Sequence, residues 1–169
     1  LTDVRFSTMA TYMYEDAVKL PVALFVVELL TTVARHEHEN RQLFEFVDAS
    51  IDVLELDGEH TANFHLVFMT MLTRLVGIAP DEETYAAGSW LDLREGCFTL
   101  LRPAHQDVAQ PEVARRIALF LRGGFEGVAM PMNRDERNCC LDALMDYYRL
   151  HLPSFPELKS VAILRQLFQ

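Results

Sequence analysis

Little in this 169-residue chain points to chemistry. It has three cysteines, Cys97, Cys139 and Cys140. That odd set lacks the spacing of a disulfide framework and suits a reducing cytoplasm. No stretch of about 18 apolar residues is present to span a membrane. The most apolar run, Leu20 to Leu30, is broken by Glu28 and reads as a buried helix. There is no basic n-region followed by a small-residue cleavage site, so nothing indicates export. Internal repeats, low-complexity tracts and clear interdomain linkers are also lacking. Nowhere does a P-loop, a dinucleotide fingerprint, a Gly-x-Ser-x-Gly elbow or a His-Glu-x-x-His pair occur. No catalytic residue, metal ligand or cofactor is expected on these grounds.

Positive charge is scarce in one half only. The formal net charge is −10. Residues 1–90 carry 5 Lys/Arg against 15 Asp/Glu, whereas residues 91–169 carry 10 of each. Nucleic-acid affinity depends on cations that neutralise phosphates, so the first half should repel a phosphate backbone. Any contact with DNA belongs to the second half and should be weak. Half of the residues are hydrophobic and 24% are charged, values of an ordinary globular chain with a sizeable core. The chain begins with leucine, which leads us to expect a fragment or a processed form of a longer protein.

What is present is helical periodicity. Residues 1–19 have mixed character. Pro21 suits the first turn of a helix, and Val22 to about Glu39 is apolar on nearly every side, as expected of a central helix. A second helix, about 41–57, places Leu43, Phe46, Val47, Ile51 and Leu54 on one face and Glu45, Asp48, Asp52 and Glu55 on the other, with Gly58 ending it. A third, about 60–76, carries a stripe from Phe64 to Leu75, with Gly77 as its C′ residue. Short links suggest antiparallel neighbours in a bundle. After a loop from Pro80 to Gly88, residues 89–93 and 97–101 alternate around Arg94-Glu95-Gly96, which predicts a β-hairpin lying against the helices. Gln110-Pro111-Glu112 opens a fourth helix, to about Arg122, stopped by Gly123-Gly124. Asn133 with Glu136 forms a capping signature for a fifth, to about Leu150, and Ser154 with Glu157 repeats it before the last. The last helix has apolar positions Leu158, Val161, Leu164 and Phe168. The fold class is mainly α, a bundle of about six helices with one small β-hairpin.

The polar clusters have ordinary explanations. His36 and His38 point to different faces, and His60 and His65 are five apart, so solvated helix-end histidines are expected rather than metal ligands. Adjacent Cys139 and Cys140 are wrongly spaced for zinc; packing beside Leu141 and Leu144 is expected over a reactive helix-end thiol. The pairs Asp48/Asp52 and Asp52/Glu55 lack a matching histidine for a di-metal site. The basic residues remain: Arg115, Arg116 and Arg122 on the fourth helix, Arg134 and Arg137 at the start of the fifth, and Arg149, Lys159 and Arg165 toward the end. They read either as surface charge complementing helix ends or as a shallow basic face beside Tyr147, Tyr148 and Leu158. Such a face would accept a phosphate strand or an acidic peptide with a hydrophobic end.

Four segments carry a resemblance. Ala62-Asn63-Phe64-His65-Leu66-Val67-Phe68, Leu91-Asp92-Leu93-Arg94-Glu95-Gly96-Cys97-Phe98, Glu136-Arg137-Asn138, and the tail from Tyr147 to Leu167 with its Leu158-Lys159-Ser160 core resemble the RecO family of bacterial recombination mediators. The likeness runs from about residue 20 to the end. It lies in the order and spacing of these segments, not in any one of them.

The resemblance implies a DNA repair and homologous recombination role in the RecF pathway, without bond chemistry. Family members anneal complementary single strands and, with RecR, help load RecA onto DNA coated by single-strand binding protein. Their architecture is an N-terminal OB-fold followed by a helical C-terminal domain. This chain resembles the helical domain alone, with residues 1–19 expected as a linker from the OB-fold. The implied partners are the acidic, phenylalanine-ended tail of single-strand binding protein, RecR and, weakly, single-stranded DNA, with no membrane. The implied location is the cytoplasm, at the nucleoid. Several members hold zinc with four cysteines after the third helix. Only Cys97 stands there in this chain, so zinc is not expected, and packing around Trp90 and Phe98 should supply the rigidity. A different class, a helical ligand-binding or regulatory domain with an interior pocket, is suggested by the Phe- and Met-rich stripe, which is more often core.

Overall fold

In the computed structural model, residues 17–34, 40–56 and 61–167 are described. The expectations for His36, His38, Gly58, His60 and Phe168, for residues 1–16 of the linker, and for the stretch 35–39 of the first helix lie outside these residues. Helix α1 spans Lys19–Val33, with Pro21 in its first turn, where no intrahelical donor is needed. It buries Val22, Phe25, Val26 and Leu29 but leaves Leu24 52% and Val27 57% exposed. It is therefore a peripheral helix, which corrects the central position expected from its composition. Helix α2 (Arg41–Leu56) is amphipathic as its spacing predicts, with Leu54 buried and Asp48 and Asp52 exposed.

The central element is the third helix. A 3-10 turn, Thr61–Asn63, leads into α3 (Phe64–Leu75), in which every residue from Phe64 to Thr70 is buried. Its buried hydroxyls satisfy themselves locally, Thr70 Oγ1 donating to the Leu66 carbonyl at 2.8 Å and Thr73 Oγ1 to that of Thr70 at 2.6 Å. Gly77, at φ +76°, reverses the chain, and Ile78 N–H donates back to the Thr73 carbonyl at 2.9 Å. This is the glycine C′ arrangement that closes orphan carbonyls. Phe46, Phe64, Phe68 and Phe125 form a ring cluster with centroids 5.0 to 6.1 Å apart. The aromatic stripe is thus core.

The hairpin forms from β1 (Trp90–Asp92) and β2 (Cys97–Thr99), antiparallel, with Leu91 opposite Phe98. Asp92 Oδ1 accepts the N–H groups of Arg94 and Glu95 at 2.9 and 3.1 Å, shaping the turn that Gly96 completes at φ +66°. A third strand, β3 (Val108–Ala109), adds to the other edge of β1, giving the order β2-β1-β3. Two residues are too few to show alternation, so it is not visible in the sequence. Phe98 is buried edge-on against Tyr85 at 5.3 Å, whereas half-buried Trp90 is covered by the Arg102 guanidinium, also at 5.3 Å.

Helix α4 (Pro111–Gly123) has proline at its first turn and Gly124 at its C-cap. A 3-10 turn, Gly124–Ala129, follows and packs against α3. Helix α5 (Arg134–His151) opens with the capping box its sequence predicts: Asn133 Oδ1 accepts from Glu136 N–H at 2.9 Å, and Glu136 Oε2 from Asn133 N–H at 2.8 Å. Helix α6 (Ser160–Leu167) departs from expectation. Ser154 sits at φ +60°, six residues before the helix begins. The helix starts at Ser160, held by the Glu28 carboxylate of α1, which accepts from the N–H groups of Lys159 and Ser160 at 2.9 Å each.

Candidate functional site

The C-terminal basic residues converge where α5 meets α6. Between the two helices lies an open groove of about 570 Å³. Its apolar lining comes from buried Met145 and Leu158, with half-buried Val161 and exposed Ala162. Three cations, Arg149, Lys159 and Arg165, stand on its rim together with Asp142 and Glu157. Arg149 pairs with Asp146 at 2.9 Å and Arg165 with Asp142. The Lys159 ammonium makes no ion pair with a described carboxylate within 4 Å, which leaves it as the rim cation open to an incoming anion.

Local structure explains this geometry. Met145, Arg149 and Asp142 fall at three- to four-residue steps and so share one side of α5. Leu158 and Lys159 precede α6, and Glu28 fixes their position. Burial opposes ionisation of Glu28, but the hydroxyl and N–H of Ser160, the N–H of Lys159 and the Lys159 charge outweigh it and hold the carboxyl below its ordinary range.

The other basic candidates lie elsewhere. Arg134 and Arg137 line a tight cleft next to the groove with His65, Asn138, Leu164 and Arg165. Arg134 reaches the Arg165 carbonyl at 3.5 Å, and Arg137 donates to the carbonyl of Met132. Arg116 is only 6% exposed; it pairs with Glu136 and donates to the Glu112 carbonyl at 3.1 Å, bolting α4 to α5. Arg115 is exposed beside Glu112 at 3.5 Å. Arg122 lies over the Tyr85 ring at 5.4 Å and bonds the Glu82 carbonyl at 3.1 Å, on the turn before the sheet.

Three expectations need correction. Tyr147 and Tyr148 are not beside the basic face: both are buried, with hydroxyls donating to the carbonyls of Ile78 and Met69 at 2.7 and 2.8 Å. His65 is buried, not solvated, because α3 is enclosed; burial and then the nearby Arg137 charge push its pKa down to about 3, so it is neutral. Of the adjacent cysteines, Cys140 is buried and its thiol is pushed up to about 12 by burial, but Cys139 is exposed. Sequence reasoning also missed Met145 and Glu28. The first looks like any core methionine, and the second acts on residues more than a hundred positions away. Among the described residues, no three His, Cys, Asp or Glu side chains gather to hold a metal ion.

The sequence as a whole matches a known family. Residues 14–161 match the family model described as recombination protein O C terminal. The chain is 42% identical over 154 residues to the DNA repair protein RecO of Phocaeicola vulgatus, covering 90% of this chain and 64% of that protein. It is 41% identical over 165 residues to the DNA repair protein RecO of Bacteroides fragilis, covering 96% and 68%. The corresponding protein of Porphyromonas gingivalis is 37% identical over 174 residues, covering 99% and 70%. The chain therefore spans about two thirds of the length of these curated relatives. No solved structure matches it significantly.

Proposed function

This chain belongs to the RecO family, and from that premise we propose that it is the partner-docking helical part of a DNA repair and recombination mediator. In this reading it works in the RecF pathway, at the nucleoid in the cytoplasm. There it engages RecR and the tail of single-strand binding protein to assist RecA loading and strand annealing. It performs no bond chemistry. Its own grip on single-stranded DNA is weak, because a net charge of −10 opposes phosphate. Among the described residues no helix is long and apolar enough to cross a membrane.

The observation that carries this reading is the α5–α6 groove. An acidic peptide ending in phenylalanine needs an apolar slot for the ring and cations for its carboxylates. Met145, Leu158 and Val161 offer the slot, and Lys159, Arg149 and Arg165 the cations. Burying the ring contributes roughly 1.5–3 kcal/mol, and charge-assisted bonds add direction. The resident pairs Arg149–Asp146 and Arg165–Asp142 are exposed. Such pairs are worth about 0–1 kcal/mol each, so an incoming carboxylate can displace them.

Fluorescence anisotropy with a labelled copy of the tail tests the reading. Micromolar binding that weakens with salt is expected, because exposed charge pairs are screened. Replacing the terminal phenylalanine of the peptide by alanine should remove most of it. Salt-insensitive binding, indifferent to changes at Lys159, Arg149 and Arg165 together, removes the groove from consideration.

A further inference from the structure

Helix α5 carries its aspartates toward two grooves. Asp142 lines the basic groove and also a second one, of about 280 Å³, between β3 and α5. The strand order leaves β3 at a sheet edge. The second groove has an apolar floor of buried Leu93, Ala109 and Ala143 with half-buried Val108 and Val113. Among the described residues its charged side chains are Asp107, Asp142 and Asp146, with no lysine or arginine. Both α5 aspartates are tied to cations of the first groove, Asp142 to Arg165 and Asp146 to Arg149, while Asp107 pairs with Arg94 at 2.5 Å.

We propose that the β3–α5 groove docks a cationic, extended peptide segment of a protein partner, and that Asp142 and Asp146 couple it to the basic groove. Charge complementarity selects the occupant. A nucleic-acid strand finds no cation among the described lining residues to neutralise its phosphates, and a second copy of a chain of net charge −10 is itself repelled. An extended segment alternates its side chains between two faces, so lysines or arginines can meet the aspartates while aliphatic groups meet Val108 and Val113. The coupling rests on the docking function proposed above. Carboxylates arriving in the basic groove draw Arg149 and Arg165 away from their aspartates. Asp146 and Asp142 then lose their counter-ions, and the second groove becomes more attractive to cations. By linkage the effect is reciprocal.

Cys139 provides a reporter, because it lines this groove and is exposed, whereas Cys140 is buried and Cys97 half-buried. A short peptide alternating lysine and valine should slow modification of Cys139 by N-ethylmaleimide. The same peptide with glutamate for lysine should not. The double change Asp142→Asn and Asp146→Asn, at exposed positions, should weaken the lysine peptide roughly tenfold, the scale of two exposed ion pairs. Arg149→Gln with Arg165→Gln mimics a filled basic groove and should tighten it roughly threefold. Equal protection by both peptides, protection by neither, or protection that survives the asparagine changes overturns the site. Unchanged affinity in the arginine variants overturns the coupling. None of these measurements uses the acidic tail peptide, so failure of that peptide to bind counts against the basic-groove reading alone.

Discussion

The carboxylate of Glu28 in α1 caps the first turn of α6 at Ser160, whose N–H and hydroxyl both donate to Oε2, at 2.9 and 2.5 Å. The other oxygen takes the N–H of Lys159 at 2.9 Å. A cap normally comes from the residue just before its helix; here it comes from another helix and carries a full charge. Glu28→Ala should cost about 1–2 kcal/mol in urea unfolding, the worth of a cap and its charged hydrogen bonds. It should also raise amide exchange across Ser160–Leu167, and Glu28→Gln should fall between. Because the folded carboxyl sits below its ordinary range, this stabilisation is complete above that range and disappears as pH falls through the lower folded value. An alanine variant as stable as the parent, with unchanged exchange in α6, refutes the cap.

Arg116 and Lys159 separate fold from docking. Arg116→Ala takes the cation from half-buried Glu136, whose other oxygen keeps the Asn133 N–H. We expect a loss of about 2–3 kcal/mol, below the usual range for a fully buried pair because Glu136 is partly exposed. Affinity for the acidic tail peptide should be unchanged in the folded fraction. Lys159→Ala should do the reverse, weakening the peptide roughly fivefold with little change in stability. If both variants lose affinity equally, the groove is not the docking site.

Gly96 is a steric checkpoint. A Cβ built there stands 2.6 Å from the Tyr147 hydroxyl, at φ +66°. Gly96→Ala combines left-handed strain of about 1–2 kcal/mol with displacement of a hydroxyl that bonds the Ile78 carbonyl. A total loss above about 2 kcal/mol is expected by denaturant titration. The companion change Tyr147→Phe should restore part of it by removing the oxygen, an outcome absent if the strain is backbone alone.

His65 should dominate the early acid response. Its folded pKa of about 3 lies well below the ordinary histidine value. Folding therefore favours the neutral ring, and stability is fully present above about pH 6.5. It declines as pH falls from there toward the folded value, because the unfolded chain binds the extra proton. Melting temperature against pH should slope less in His65→Leu than in the parent between those values. Parallel slopes would exclude His65 as the source.

The helices α2 to α5 were legible because each carries its own periodicity, caps and stops, as in Asn133 with Glu136 or Gly77 after α3. The central helix was misassigned for a physical reason. Leu24 and Val27 are as apolar as Phe25 and Val26, and composition does not reveal which side of α1 remains exposed. The basic rim was legible as a set of residue types but not as a surface. Nothing local separates Arg116, consumed by Glu136, from Arg149 and Arg165 on the groove. Tyr147 and Tyr148 looked like surface aromatics beside arginine, yet both turn inward, their hydroxyls donating to the carbonyls of Ile78 and Met69. The start of α6 was set by Glu28, a contact no window of sequence contains.

The chain has one tryptophan, Trp90, on the central strand of the sheet, with the Arg102 guanidinium over its ring. Its emission thus comes from one known place, next to a cation whose departure would change the ring's surroundings. Tryptophan fluorescence therefore reads the sheet directly, with no label attached, and separates events there from those at the α5–α6 groove.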